Sequence, residues 1–187
     1  MEQADAALDA VERIASQEGW EAVTIRRVAD AVEWSPPKLY SLFGNKTGMA
    51  AAARQRAFER LNHELAALTE PDPRSRLIAM AEHHWQFAIE DPARFQLMHG
   101  LEAAPRVPQQ DGCALPAASA AFATLMDAIQ RASDGQQSLE ELKTNAQLLW
   151  ASLFGLAALQ LSGQLPPDAD GRALSAQAAA RAIAVGA

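Results

Sequence analysis

The stretch that decides the fold is residues 24–46, which reads TIRRVADAVEWSPPKLYSLFGNK. It contains two short helical patterns, and each follows a residue type that often caps a helix. Thr24 precedes the first pattern, and Ser35 precedes the second, where Pro36 takes the first helical position. Two short helices separated by a turn of a few residues predict a helix-turn-helix.

Helical patterns continue on both sides of this stretch. An earlier helix is predicted over 3–17, and a long one runs from 46 to about 68. Further helices are predicted to begin at Pro73, Pro92, Pro116, Leu139 and Arg172, with a loop over 103–115. The prediction is an all-α chain of about nine helices, in which a helix-turn-helix domain (1–48) is joined by a long helix to a C-terminal ligand-binding and dimerisation bundle (49–187).

Composition supports a water-soluble helical protein. The chain has 187 residues, of which 49% are hydrophobic and 6% aromatic, and no alternating run of β-branched residues indicates a strand. No stretch is apolar for long enough to span a membrane, and the N-terminus lacks a signal-peptide pattern. With Cys113 as the single cysteine, an intramolecular disulfide is excluded, so we expect a cytoplasmic protein with no membrane partner.

Charge is distributed unevenly along the chain. The whole protein carries −7, but residues 21–60 hold seven basic and four acidic residues, a net charge of +3. Residues 61–187 hold eight basic and fourteen acidic residues. One basic segment on an acidic protein is the pattern expected when a single face binds phosphate.

Six spaced positions of the N-terminal segment carry a family resemblance. They are Thr24, Ala29, Ser35, Tyr40, Phe43 and Lys46. In this register residues 7–50 resemble the N-terminal signature of TetR-family transcription repressors. The resemblance implies a ligand-responsive repressor that binds a palindromic DNA operator as a homodimer. The residues predicted to form the DNA-binding site are Thr24, Arg26, Ser35, Pro36, Lys38, Leu39, Tyr40 and Lys46.

Physical reasoning assigns different roles within this set. Helix N-termini present free amides to phosphates, and a slim helix carrying Lys38 and Tyr40 fits a major groove. Lys38 is the expected base reader, Tyr40 and Lys46 are expected to hold phosphates, and Leu39 also anchors the helix to the core. Where the family usually has glycine in the turn, this chain has Glu33, which must take a left-handed conformation or force another turn.

The C-terminal part carries a second, shorter resemblance. Residues 85–98 and 150–155 resemble a TetR subgroup with a tryptophan-histidine-glycine motif, here Trp150 and Gly155 with Phe154 in place of the histidine. Large adaptable side chains in a helical bundle are typical of a small-molecule cavity. The residues predicted to bind a small apolar effector are Trp85, Phe95, Met98, Phe122, Met126, Trp150 and Phe154.

The last two helices predict a dimer. One broad face of the helix over 139–162 carries Leu142, Ala146, Leu149, Leu153, Leu156, Ala157 and Leu161, and Gly155 permits close approach. Together with the small residues of the final helix, this exceeds what a single core requires and favours a four-helix bundle across a two-fold axis. Reaching two half-sites on DNA also requires two copies.

The sequence disfavours an enzyme and leaves one other class of function open. An enzyme is disfavoured because the sequence has no phosphate-binding glycine loop and no catalytic constellation. His83 and His84 are adjacent and cannot face one ion from a helix, so we expect no metal and no cofactor. A helical interaction module that does not bind DNA is the remaining alternative, and Glu33 in the turn favours it.

Overall fold

The computed structural model describes residues 2–100 and 116–184, so the loop predicted over 103–115 lies outside the described residues. Helices and turns form all of the described secondary structure, which confirms the all-α prediction. The first four helices are α1 (Glu2–Glu18), α2 (Ile25–Ala31), α3 (Pro36–Phe43) and α4 (Lys46–Ala66). They are followed by α5 (Pro73–Glu90), α6 (Pro92–His99), α7 (Pro116–Ala132), α8 (Leu139–Leu161) and α9 (Gly171–Ala182).

Helix starts follow the capping residues read from the sequence. Thr24 accepts a hydrogen bond from the Arg27 amide at the start of α2. Ser138 and Glu141 form a complete capping box at the start of α8. Such side chains satisfy amides that have no partner within the helix, which fixes where each helix begins.

The N-terminal compact unit is discontinuous in sequence. It comprises residues up to Glu59 and the described part of 91–117, so α6 belongs to it together with α1, α2 and α3. Its core contains Val11, Trp20 and Leu39, with Leu97 contributed by α6. These compact units do not coincide with the two predicted domains, which meet between residues 48 and 49. That boundary separates a DNA-binding from a ligand-binding domain and stays a prediction.

The second compact unit comprises 60–90 and the described residues from 118 onward. Within it α5 packs against α9 and α8. The α5–α9 approach is close because Gly171 has no side chain: a Cβ there would lie 2.0 Å from the ring of Trp85. The buried face of α8 holds Leu142, Ala146, Leu149, Leu153 and Ala157.

Candidate functional site

The turn between α2 and α3 is a left-handed helix stop. The sequence left two possibilities for Glu33, a left-handed conformation or a different turn. Its φ of +55° shows that it adopts the left-handed conformation. Its amide donates to the carbonyl of Asp30, and the amide of Trp34 donates to the carbonyl of Ala29 at 2.9 Å. This pair of bonds is the Schellman arrangement, which normally places glycine where Glu33 lies. The turn is therefore regular despite its unusual residue.

The start of α3 leaves a hydroxyl available. Ser35 occupies the predicted N-cap position and Pro36 the first helical position, but the Ser35 side chain makes no capping hydrogen bond. Pro36 and Pro37 have no amide hydrogens, and the Lys38 amide donates to the Ser35 carbonyl. The Ser35 side chain is exposed and can bind a phosphate oxygen from the first turn of the helix.

The side chains of α3 that were predicted to contact DNA differ in how accessible they are. Tyr40 is 53% exposed, as a phosphate contact requires. The ammonium of Lys38 lies 3.6 Å from the centroid of the Trp34 ring, a cation–π contact that sequence reasoning missed. Leu39 is completely buried and cannot contact DNA from this position, so its assignment to the DNA-binding set is corrected: it anchors α3 to the core.

The start of α4 is fixed beside α3. The Asn45 side chain accepts a hydrogen bond from the Gly48 amide, and a Cβ at Gly48 would lie 2.0 Å from the carbonyl oxygen of Phe43. Lys46 is the first residue of α4, as predicted, and its ammonium donates to the Trp20 carbonyl at 3.4 Å. The Lys46 side chain is half-buried, so its ammonium is held in one place instead of moving freely in solvent.

The exposed cations of α2 differ from each other. Arg27 donates to the carboxylate of Glu18, which offsets its charge. Arg26 is exposed on the first turn of α2, directly after the Thr24 cap. Of the two α2 cations, Arg26 is therefore the one without the Glu18 ion pair, and its contact with DNA stays a prediction.

An ion network holds α1 against two other helices of the N-terminal unit. The Glu12 carboxylate pairs with Arg56 of α4 at 2.8 Å and with Arg94 of α6 at 3.5 Å. Arg94 also pairs with Asp91, and all four side chains are largely shielded from water or half-buried. Sequence reasoning missed this network because its members are far apart along the chain.

Two further hydrogen bonds secure α6 to the same region. The indole N–H of Trp20 donates to the Ala93 carbonyl at 2.9 Å, and Ser16 donates to Asp91. A buried indole needs such a partner, since an unpaired polar group in the core is costly. The position of α6 is thus tied to the unit that carries α2 and α3.

The residues predicted to bind an effector do not form one group in the structure. Phe95 and Met98 are buried in the N-terminal unit. The remaining five are half-buried in the second unit, and they are Trp85, Phe122, Met126, Trp150 and Phe154. Within this unit Phe122 and Trp150 pack edge to face, with ring centroids 6.2 Å apart.

The second unit contains a small apolar cavity beside Trp150. Its volume is about 20 Å³, close to the space that one water molecule needs. It is lined by Leu61, Leu65, Met80, His84, Ala121, Leu125, Trp150 and Leu153. We call this space the inner cavity. Trp150 is the one predicted ligand residue in its wall, and a ligand larger than water requires side chains to move.

His84 is the polar residue that the effector prediction omitted. Burial lowers its pKa to about 4, with a smaller contribution from His83, so the imidazole is neutral at pH 7. His83 itself pairs with Glu64 at 2.9 Å. No group of three potential metal ligands occurs among residues 2–100 and 116–184. His84 therefore places a neutral hydrogen-bonding group in an otherwise apolar wall.

The face of α8 predicted for dimerisation is largely used inside the unit. Leu142, Leu149 and Leu153 are buried against the neighbouring helices, because α8 must first complete the core of its own chain. The opposite face instead exposes apolar residues, with Leu148 at 62% and Leu159 at 40%. The α8 face predicted for pairing is therefore occupied within the chain itself, and this part of the prediction is corrected.

Two parts of the chain match known protein families. Residues 7–53 match the family of bacterial regulatory proteins of the tetR family, and residues 77–183 match the tetracyclin repressor-like C-terminal domain. No curated protein matches the chain significantly.

Solved structures share the fold at low sequence identity. A putative TetR-family transcriptional regulator from Rhodococcus sp. is 21% identical with a TM-score of 0.72, covering 98% of this chain and 100% of that one. A TetR transcriptional regulator from Rhodococcus sp. RHA1 is 17% identical with a TM-score of 0.69, covering 98% and 97%. RolR in complex with resorcinol is 16% identical with a TM-score of 0.65, covering 96% and 87%.

These matches extend over both compact units. In the residues that the structure describes, no helix is long and apolar enough to cross a membrane. The family consists of transcription regulators rather than enzymes, and its two domain matches account for most of the chain. The chain therefore belongs to the TetR family of ligand-responsive, DNA-binding transcription regulators.

Proposed function

We propose that this protein is a homodimeric repressor that binds a palindromic operator and leaves it when a small, largely apolar effector binds. The observation that carries the proposal is the α2–α3 pair, with Arg26, Ser35 and Tyr40 exposed and Leu39 locked into the core. A short helix anchored on one side and polar on the other fits a major groove about 12 Å wide.

The proposed DNA contacts have two roles: most position the protein on the phosphate backbone, and one reads a base. Thr24 and Arg26 place the N-terminus of α2 at the phosphates. At the start of α3, where two prolines lack amide hydrogens, the Ser35 hydroxyl and the Pro36 surface make the contact instead. Tyr40 and Lys46 hold the flanking backbone. Lys38 reads a base edge after its ammonium leaves the Trp34 ring, since guanine offers acceptors that compete with a cation–π contact.

The exposed face of α8 supports the homodimer. Leu148 and Leu159 lie eleven positions apart, three helical turns, so they share one face of α8. Residues between them on that face are small: Ala151, Ser152 and Gly155. On α9 the exposed positions Ala173, Gln177 and Ala180 follow the same helical spacing. Small residues allow two helices to approach closely, and a second copy of the chain would cover both faces.

The inner cavity supports the effector part of the proposal. RolR has been solved with resorcinol, a small aromatic molecule, and here an apolar wall with one neutral imidazole suits a ligand of that polarity. The side chains around the inner cavity would have to move apart to admit a ligand of that size. A ligand shifts DNA binding only by its differential affinity for two arrangements, and a coupling of about 1–3 kcal/mol corresponds to a 5–150-fold change. As a DNA-binding regulator the protein would act in the cytoplasm.

The DNA-binding part is tested by selecting bound fragments from random DNA with the purified protein and sequencing them. We expect an inverted repeat, and affinity that falls steeply with salt. Tyr40→Phe should then weaken binding about 2–10-fold, whereas Ser41→Ala, which removes a neighbouring exposed hydroxyl, should not. Salt-independent binding, or equal loss in both variants, would contradict the proposal.

The effector part is tested by thermal-shift screening of small aromatic compounds, followed by titration with and without operator. Reciprocity requires operator to weaken effector binding by the factor by which effector weakens operator binding. Ala121→Met fills the inner cavity and should abolish the response while sparing operator affinity. Equal effector affinity with and without operator would exclude this mode of release.

A further inference from the structure

Lys38 is the one cation of α3, and an indole ring holds it. Its ammonium lies 3.6 Å from the centroid of the Trp34 ring, and both side chains are half-buried. A helical side chain points back toward the N-terminus of its helix, so the Lys38 side chain runs toward the turn that carries Trp34. The protein without DNA therefore keeps its expected base reader against its own surface.

The Trp34 ring is the fixed partner of this contact. The ring packs against the buried core of the N-terminal unit, and the Trp34 amide donates to the Ala29 carbonyl in the Schellman turn. Lysine, in contrast, has a flexible side chain of four carbons. A change from the ring to another partner is therefore a movement of the Lys38 side chain.

The ring is also the only partner of the Lys38 ammonium among the described residues. Two neighbouring cations are held by oxygen atoms instead: Arg27 pairs with Glu18, and Lys46 donates to the Trp20 carbonyl. Removing the ring would therefore free the Lys38 ammonium without leaving a second charge unpaired.

From this contact we infer that Trp34 is a specificity-determining residue of the proposed operator complex, on which the inference rests. A guanine edge must draw the ammonium off the ring, so the loss of the cation–π contact reduces the gain from the base contact. At a base pair that presents an amino or methyl group there, the ammonium stays on the ring and loses nothing. Trp34 thus weakens binding to the matched operator alone, which relaxes the choice of base that Lys38 makes.

The first test measures operator affinity of the full chain by fluorescence anisotropy. The operator recovered by selection is changed one base pair at a time, and Lys38 reads the pair at which Lys38→Ala loses its preference. Trp34→Leu should bind the unchanged operator about 2–5-fold more tightly than the parent chain does, the contribution of an exposed cation–π contact. Its affinity for the operator changed at this pair should equal that of the parent. Trp34→Phe, which keeps a weaker aromatic partner, should fall between the two.

A matched control separates this effect from a change in the fold. In a chain that already carries Lys38→Ala, Trp34→Leu should alter neither affinity, because the ring then has no ammonium to hold. Circular dichroism of each variant verifies that helical content is kept.

The second test follows the lysine in the wild-type chain by NMR. The chain has three lysines, Lys38, Lys46 and Lys143, so isotopic labelling at lysine Cε gives three signals. The ring current of Trp34 should shift the Lys38 signal upfield from that of the exposed Lys143. The matched operator should remove this shift, and the operator changed at the Lys38 pair should leave it.

Several results would overturn the inference. They are an equal change of both affinities in Trp34→Leu, weaker binding of its matched operator, the same effect in the Lys38→Ala background, and an upfield shift that persists on the matched operator. A chain that binds no operator contradicts the proposed function itself. A preference that depends on Lys38 but is unchanged in Trp34→Leu overturns this inference alone.

Discussion

Replacing Glu33 by glycine should stabilise the protein. Glu33 has φ +55° in a Schellman turn, where a side chain with a Cβ costs about 1–2 kcal/mol relative to glycine. Glycine also gives the unfolded chain more freedom, which offsets about 0.4–1 kcal/mol. The net gain is about 0.5–1 kcal/mol, or a rise in Tm of about 1–4 °C for a chain of this size.

The control must separate backbone strain from charge. Glu33 follows the C-terminus of α2, where a negative side chain is unfavourable, so any neutral substitution relieves some repulsion. Glu33→Ala removes the charge but keeps the Cβ, and the difference between the two variants isolates the strain. Thermal unfolding followed by circular dichroism measures both. If the alanine variant is as stable as the glycine variant, the strain at this position does not exceed the freedom that glycine gives the unfolded chain, and the expected net gain is refuted.

Three other perturbations test separate parts of the molecule. Lys46→Ala should weaken operator binding and reduce the slope of log affinity against log salt by about 0.9, as measured by fluorescence anisotropy. An unchanged slope would mean that the lysine binds only the Trp20 carbonyl and no phosphate. Gly171→Ala should destabilise the protein by about 1–3 kcal/mol in urea unfolding because its Cβ would overlap the Trp85 ring, and wild-type stability would show that the ring moves freely. His84 has a folded-state pKa of about 4, below its ordinary value of 6.5, so the unfolded chain binds the proton at a higher pH than the folded chain does. The free energy of unfolding should therefore fall by up to about 3 kcal/mol as the pH drops from 6.5 to 4. His84→Phe should flatten that fall, and an identical pH profile would remove the imidazole as its cause.

Local signals made the fold readable from sequence. Thr24, Asp91 and Ser138 accept hydrogen bonds from amides in the first helical turn, so they marked helix starts without any knowledge of the tertiary structure. Two conformations of Glu33 were compatible with the sequence, and the structure has the left-handed one, with the two hydrogen bonds of a Schellman turn around it. Such local rules hold because capping depends on only a few neighbouring residues.

The parts that escaped prediction depend on partners distant in sequence. Glu12 pairs with Arg56 and with Arg94, which lie on other helices far along the chain. Phe95 is a large aromatic residue of the kind expected in the wall of a ligand cavity. It lies on α6, however, and is buried in the N-terminal unit. Burial on a helix that is apolar on several sides cannot be assigned to one neighbour from periodicity alone.

The discontinuous N-terminal unit limits how this protein can exchange parts with its relatives. Recombination at residue 48 would transfer Trp20 without the Ala93 carbonyl that its indole requires, and Glu12 without Arg56 and Arg94. A grafted head would lose these partners unless the recipient supplied equivalent ones. New pairings of operator and effector would therefore arise more readily by point substitution on the exposed surface of α3 than by swapping gene segments.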